Sequence, residues 1–122
     1  MHEMLTEQII GAAIEVHRVL GPGLLESAYE ACLAHELTSR GVPFTRQQPM
    51  PVAYKGLMLD AGYRLDLLVD GKVLVELKAV EKVDSIHEAQ LMTYMRLSGI
   101  RVGLLINFNV KVLHMGVTRR VI

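Results

Sequence analysis

Apolar side chains return at helical spacing between residues 6 and 20, where Ile9, Ile10, Ala13, Ile14 and Val16 gather on one side of a 3.6-residue period. Gly21-Pro22-Gly23 ends that run, because glycine accepts a left-handed cap and proline cannot continue a helix. A second helical pattern covers 24–40 and stops at Gly41 and Pro43. The period then changes. Residues 44–54 read as extended, with Pro49 and Pro51 suited to a sheet edge. Residues 63–69 and 72–80 are alternating or continuous apolar runs split by Asp70-Gly71, a hairpin signal. Asp84 caps a third helix that reaches Ser98, with Gly99 behind it. Residues 101–108 read as a buried strand, and 110–117 is expected to fold back on it through Asn107-Phe108-Asn109. The expected order is ααβββαββ, an α/β sandwich whose mixed β-sheet is flanked by helices, in a single domain over residues 1–122.

Composition removes several function classes. Thirteen basic and thirteen acidic residues cancel, so no global positive field draws in nucleic acid, and phosphate affinity must come from a local patch or a bound ion. Two phenylalanines, four tyrosines and no tryptophan leave little for a base-stacking platform. Cys32 is the only cysteine, which excludes an internal disulfide and a multi-cysteine zinc site. No apolar run is long enough to span a bilayer, and the charged start of the chain lacks the apolar core of a signal peptide. The expectation is a cytoplasmic protein with no membrane partner. A mean hydropathy of +0.30 and an apolar hairpin at residues 101–117 add the expectation of a homodimer.

The chemistry-bearing residues lie on the central hairpin. Side chains alternate along a strand, so Glu76 and Lys78 share one face and Val73, Val75, Leu77 and Ala79 the other. On the preceding strand Arg64 and Asp66 oppose an apolar set of Leu65, Leu67 and Val69. Two carboxylates and a lysine on one side of a hairpin suit a hard cation such as Mg²⁺, with the ammonium stabilising charge at a phosphate. The same residues could instead form an ion-pair ladder, Arg64 and Lys78 against Asp66 and Glu76. Strand parity decides whether the acids can meet. A two-residue turn at Asp70-Gly71 would set Asp66 opposite Val75 and send Glu76 to the wrong face. A three-residue loop of Val69, Asp70 and Gly71, with Gly71 left-handed, sets Leu68 opposite Lys72 and Arg64 opposite Glu76. Asp66 and Glu76 then become diagonal neighbours, roughly 7–8 Å apart.

The third helix places His87, Gln90 and Tyr94 on one polar stripe bordered by Ile86, Leu97 and Leu91, either a hydrogen-bonded network or the wall of a site. The second helix contributes Glu26, Tyr29 and Glu30, and an acid in a first helical turn also complements the helix dipole. Other motifs fail. Gly21-Pro22-Gly23 lacks both a preceding strand and the third glycine of a dinucleotide loop. His35-Glu36 and His87-Glu88 lack the second histidine of a zincin, and no Walker A sequence is present.

Gly23-Leu24-Leu25-Glu26-Ser27-Ala28-Tyr29 resembles the signature of the GxxExxY protein family, placed in the PD-(D/E)xK nuclease superfamily. Further matching segments follow in order: Tyr54-Lys55-Gly56, Asp66-Leu67, Glu76-Leu77-Lys78, Gln90-Leu91-Met92-Thr93-Tyr94 and Leu104-Leu105-Ile106-Asn107-Phe108. The resemblance implies a metal set of Asp66, Glu76, the backbone carbonyl of Leu77, and Glu26 closing the site from its helix. It implies Lys78 as the catalytic lysine beside Asp66 and Glu76. Gln90 and Tyr94 match the Gln-xxx-Tyr motif of the RecB-like branch and are implied substrate-binding residues. The expected activity is Mg²⁺- or Mn²⁺-dependent hydrolysis of phosphodiester bonds in DNA or RNA, with weak, metal-dependent nucleic-acid binding. The alternative is a non-catalytic member of the fold that binds nucleic acid or protein.

Overall fold

A computed structural model describes residues 1–122. Three helices, α1 (Glu3–Leu20), α2 (Glu26–Ser39) and α3 (Ser85–Ser98), enclose a five-stranded sheet. The sheet runs β1 (Phe44–Pro49), β4 (Arg64–Val69), β5 (Val73–Lys78), β6 (Val102–Asn107) and β7 (Val117–Val121), in that spatial order. Only β5 and β6 are parallel, joined by the α3 crossover; the other neighbours are antiparallel. The expected mixed sheet with helices on its faces is therefore present.

Two apolar layers hold it together. Ile9, Ala12, Ala13 and Val16 of α1 and Tyr29, Leu33 and Leu37 of α2 pack on Leu67, Val69, Val73, Val75, Leu77, Leu104 and Ile106. On the opposite face Leu91 and Met95 of α3 cover Leu74 and Leu105, together with Leu65 and Met50. Burying each such side chain contributes roughly 1.5–3 kcal/mol, so the first layer dominates and α3 rests on a smaller patch. Gly103 lets α3 approach: a Cβ there would lie 2.6 Å from Met95 Sδ.

Several expectations change. The chain order contains an additional two-stranded hairpin, β2 (Val52–Tyr54) with β3 (Leu57–Leu59), turned by Lys55 and Gly56 at positive φ. Only Val117 of the expected partner strand pairs with β6, opposite Ile106, and residues 110–116 do not. They form a loop and a short 3₁₀ turn, Leu113–Gly116, before β7 begins at Val117. His17 on α1 makes a 2.7 Å hydrogen bond with the Val110 carbonyl, and Gly116 sits against the Asn107 carbonyl with no room for a side chain. These tertiary contacts override the local strand tendency of Val110 and Val112.

Leu65 also departs from the expected face. It shares strand parity with Leu67, yet Leu65 joins the α3 layer while Leu67 joins the α1–α2 layer. The alternation breaks at the residue between them, Asp66.

Candidate active site

The β4–β5 hairpin sets the register of the acids. Val69 pairs with Val73, Leu68 with Leu74 and Leu67 with Val75, leaving a loop of Asp70, Gly71 and Lys72. Asp70 and Gly71 both have positive φ, 52° and 65°, and Lys72 N–H donates to the Val69 carbonyl at 2.9 Å. The loop has three residues and a left-handed Gly71, as parity requires, but it lies one residue further along than expected. Carried one step past Leu67 and Val75, this register brings Asp66 directly opposite Glu76 rather than diagonal to it. The β4–β5 ladder ends at Leu67. Beyond it the Asp66 carboxylate takes the place of a backbone partner, Oδ2 accepting from Leu77 N–H at 2.9 Å. The Leu77 carbonyl leaves β5 on that same edge, since both backbone groups of a strand residue face one neighbour.

Glu76 does not face solvent as the alternating pattern suggested. α3 covers that side of the sheet, every residue of β5 from Val73 to Leu77 is buried, and Glu76 is only 7% exposed. Its Oε1 is the one buried side-chain polar atom with no hydrogen-bond partner. Burial, reinforced by the adjacent Asp66 carboxyl, pushes its pKa up to about 9, against the opposing pull of Lys78. An orphaned oxygen beside a second acid marks a place where a cation would restore the missing interaction. Two carboxylates, a main-chain carbonyl and no sulfur suit Mg²⁺ or Mn²⁺, which keep waters in the rest of their shell.

A cleft of about 320 Å³ opens beside Asp66, lined by Glu26, Ser27 and Glu30 from α2 and by Gln47, Asp66 and Leu77 from the sheet, while Glu76 lies buried behind it and does not line it. Tyr29 fixes the start of α2. Its hydroxyl donates to the Gly21 carbonyl at 2.6 Å and accepts from Leu24 N–H at 3.1 Å, and its ring stacks on Phe108 at 4.4 Å. Glu26 thus borders the cleft, but no three His, Cys, Asp or Glu side chains gather closely enough to form a complete ligand group. The residues fit an ion held by two acids rather than by a closed triad.

Gln90 and Tyr94 lie elsewhere. Gln90 Nε2 donates to the Tyr94 hydroxyl at 3.0 Å, and both line a separate apolar groove of about 480 Å³ between α3 and the β2–β3 hairpin, with Tyr63 edge-on to Tyr94. None of that groove's lining residues borders the acid cleft. His87 belongs to the helix cap, its Nδ1 accepting from Asp84 N–H at 3.0 Å. Arg64 is exposed.

Gln47 and Arg46 escaped the sequence pattern, and both meet the Glu30 already noted on the second helix. Gln47 Nε2 donates to Glu30 Oε1 at 2.6 Å and to Asp66 Oδ1 at 3.3 Å, while Arg46 holds Glu30 Oε2 at 3.1 and 3.2 Å. Nothing in the sequence around Gln47 announces its backbone conformation.

A family model described as the PD-(D/E)XK nuclease superfamily matches residues 3–121. No curated protein and no solved structure matches the chain. The match covers nearly every residue and agrees with the mixed sheet and its flanking helices, and the chain belongs to the PD-(D/E)XK nuclease superfamily.

Proposed function

We propose that the protein is a divalent-metal phosphodiesterase acting on nucleic acid, with Asp66 and Glu76 as the acids that hold Mg²⁺ or Mn²⁺. The observation that carries this reading is the buried Glu76 carboxyl, whose Oε1 lacks a partner beside Asp66. A carboxyl kept in that position lowers the stability of the ion-free fold, which an ion-binding role explains and a surface ion-pair ladder does not. When bound, the ion supplies Lewis acidity toward phosphate oxygens and acidifies a water. Asp66 accepts from Leu77 N–H; the Leu77 carbonyl would add an oxygen ligand, and Glu26, which borders the cleft without closing a three-acid group, would act through the ion's waters. Lys78, next but one to Glu76 on β5, supplies an ammonium that stabilises negative charge on the scissile phosphate. Gln90 and Tyr94 contact the nucleic-acid strand as it leaves the cleft. The finer placement, in the GxxExxY family of the RecB-like branch, rests on Gly23, Glu26, Tyr29, Gln90 and Tyr94.

A second reading, a non-catalytic binding protein on this fold, is favoured by one specific observation: the acids do not close into a three-ligand group. Purified protein incubated with single- and double-stranded DNA and RNA separates the two. Cleavage that requires Mg²⁺ or Mn²⁺ and stops with a chelator supports the phosphodiesterase. Binding without cleavage of any substrate supports the alternative.

A further inference from the structure

Four residues other than glycine have positive φ: His2, Gln47, Lys55 and Asp70. Lys55 and Asp70 are turn residues and His2 precedes the first helix. Gln47, at φ 51°, alone lies inside a strand. Glycine adopts that conformation freely, whereas a glutamine held there is strained. No residue is inserted to cause it. Arg46 pairs with Leu67 and Gln48 with Leu65, so the register is continuous and Gln47 falls opposite Asp66.

The strain has a visible result. Consecutive strand residues point to opposite faces, yet Arg46 and Gln47 both reach Glu30, one on each carboxylate oxygen. The left-handed turn of the backbone at Gln47 brings its amide to the same side as the Arg46 guanidinium. The amide nitrogen also donates to Asp66 Oδ1, while Oδ2 is held by Leu77 N–H. Both oxygens of Asp66 are therefore oriented, one by the main chain and one by Gln47. Behind Gln47, Glu30 is buried and is paired with Arg46 at 3.1 Å. Strained backbone of this kind persists where the surroundings over-determine it, and it concentrates at functional sites.

We propose that Gln47, backed by Glu30 and Arg46, is a positioning residue that sets the Asp66 carboxylate for divalent-ion binding, and that its left-handed backbone is retained for this purpose. The inference rests on the metal-dependent reading of Asp66 and Glu76. Partners behind a ligating carboxylate typically change ion affinity about 10–100-fold when removed.

Gln47→Gly tests it, because glycine relieves the backbone and deletes the amide together. Calorimetric titration with Mn²⁺ is expected to show at least about tenfold weaker binding than wild type, with Tm no lower. Asp70→Gly, which relieves the positive φ in the β4–β5 turn without removing a contact to Asp66, should leave Mn²⁺ affinity unchanged. Glu30→Ala should weaken binding, and the Glu30→Ala, Gln47→Gly double variant should lose no more than Gln47→Gly alone, since both act through one bridge. Mn²⁺ affinity within twofold of wild type in Gln47→Gly overturns the proposal. A lowered Tm accompanying weaker binding also overturns it, making the bridge a tie of the fold. A wild-type protein that takes up no Mn²⁺ overturns the metal-dependent reading itself, and the positioning role with it.

Discussion

Replacing Glu76 with glutamine isolates the energetic consequence of burying an acid beside Asp66. The folded chain keeps the Glu76 proton up to about 9, while the ordinary value is 4.5. Between those values the unfolded state binds fewer protons than the folded state, so stability falls as pH rises. The penalty is absent below the ordinary value and complete above the folded one. Each unit of separation is worth a little over 1 kcal/mol, which makes the loss about 3 kcal/mol at pH 7. That is a large part of a typical domain's stability. Glutamine has nearly the same shape, can donate a hydrogen bond to Asp66 and does not titrate. Glu76→Gln should therefore be stabilised relative to wild type by less than about 1 kcal/mol at pH 5 and by several at pH 8. With no tryptophan in the chain, urea unfolding is best followed by far-UV circular dichroism, in the absence of divalent ions. A difference between the two proteins that is the same at pH 5 and pH 8 would refute the buried-acid account.

Other substitutions test neighbouring parts of the argument. Tyr29→Phe should cost about 1–2 kcal/mol, by removing the hydroxyl that joins Gly21 and Leu24, and denaturant midpoints will show it. Gly116→Ala should cost about 3 kcal/mol, because its Cβ would collide with the Asn107 carbonyl; a neutral result in the same unfolding assay would contradict the packing of the 3₁₀ turn. Gln90→Ala should raise KM for nucleic acid several-fold without changing Mn²⁺ affinity, as its separate groove requires, and a calorimetric change would disprove the separation.

Much of the scaffold was legible in the sequence because local chemistry specifies it. Helical spacing located α1, Asp84 and Gly99 bracketed α3, and the need for Asp66 and Glu76 to share a side called for a left-handed Gly71 or a compensating bulge, of which the first is present. The exact loop was not legible, since Val69-Asp70-Gly71 and Asp70-Gly71-Lys72 satisfy the same parity and differ only in tertiary pairing. The burial of Glu76 was missed for a related reason. Alternation identifies two faces, but it does not reveal that α3 covers the second one. Leu65 and Leu67 look equivalent until the chain twists at Asp66. Residues 110–116 carry the strand-forming Val110 and Val112, and contacts with His17 and Asn107 hold them as a loop and a 3₁₀ turn. Gln47 lies furthest from sequence reasoning, because the amide partners that mark it, Glu30 and Asp66, are 17 and 19 residues away along the chain.

In the proposed function Asp66, Glu76 and Lys78 cut phosphodiester bonds with a divalent ion. Single-turnover cleavage by wild type and Lys78→Ala, measured alongside Mn²⁺ titration of both, tests it most directly. Wild type is expected to cleave only with Mg²⁺ or Mn²⁺, and Lys78→Ala to keep its Mn²⁺ affinity within a few-fold while cleavage falls by at least about a hundredfold. Undiminished cleavage by Lys78→Ala, or wild-type cleavage that persists in a chelator, would contradict it.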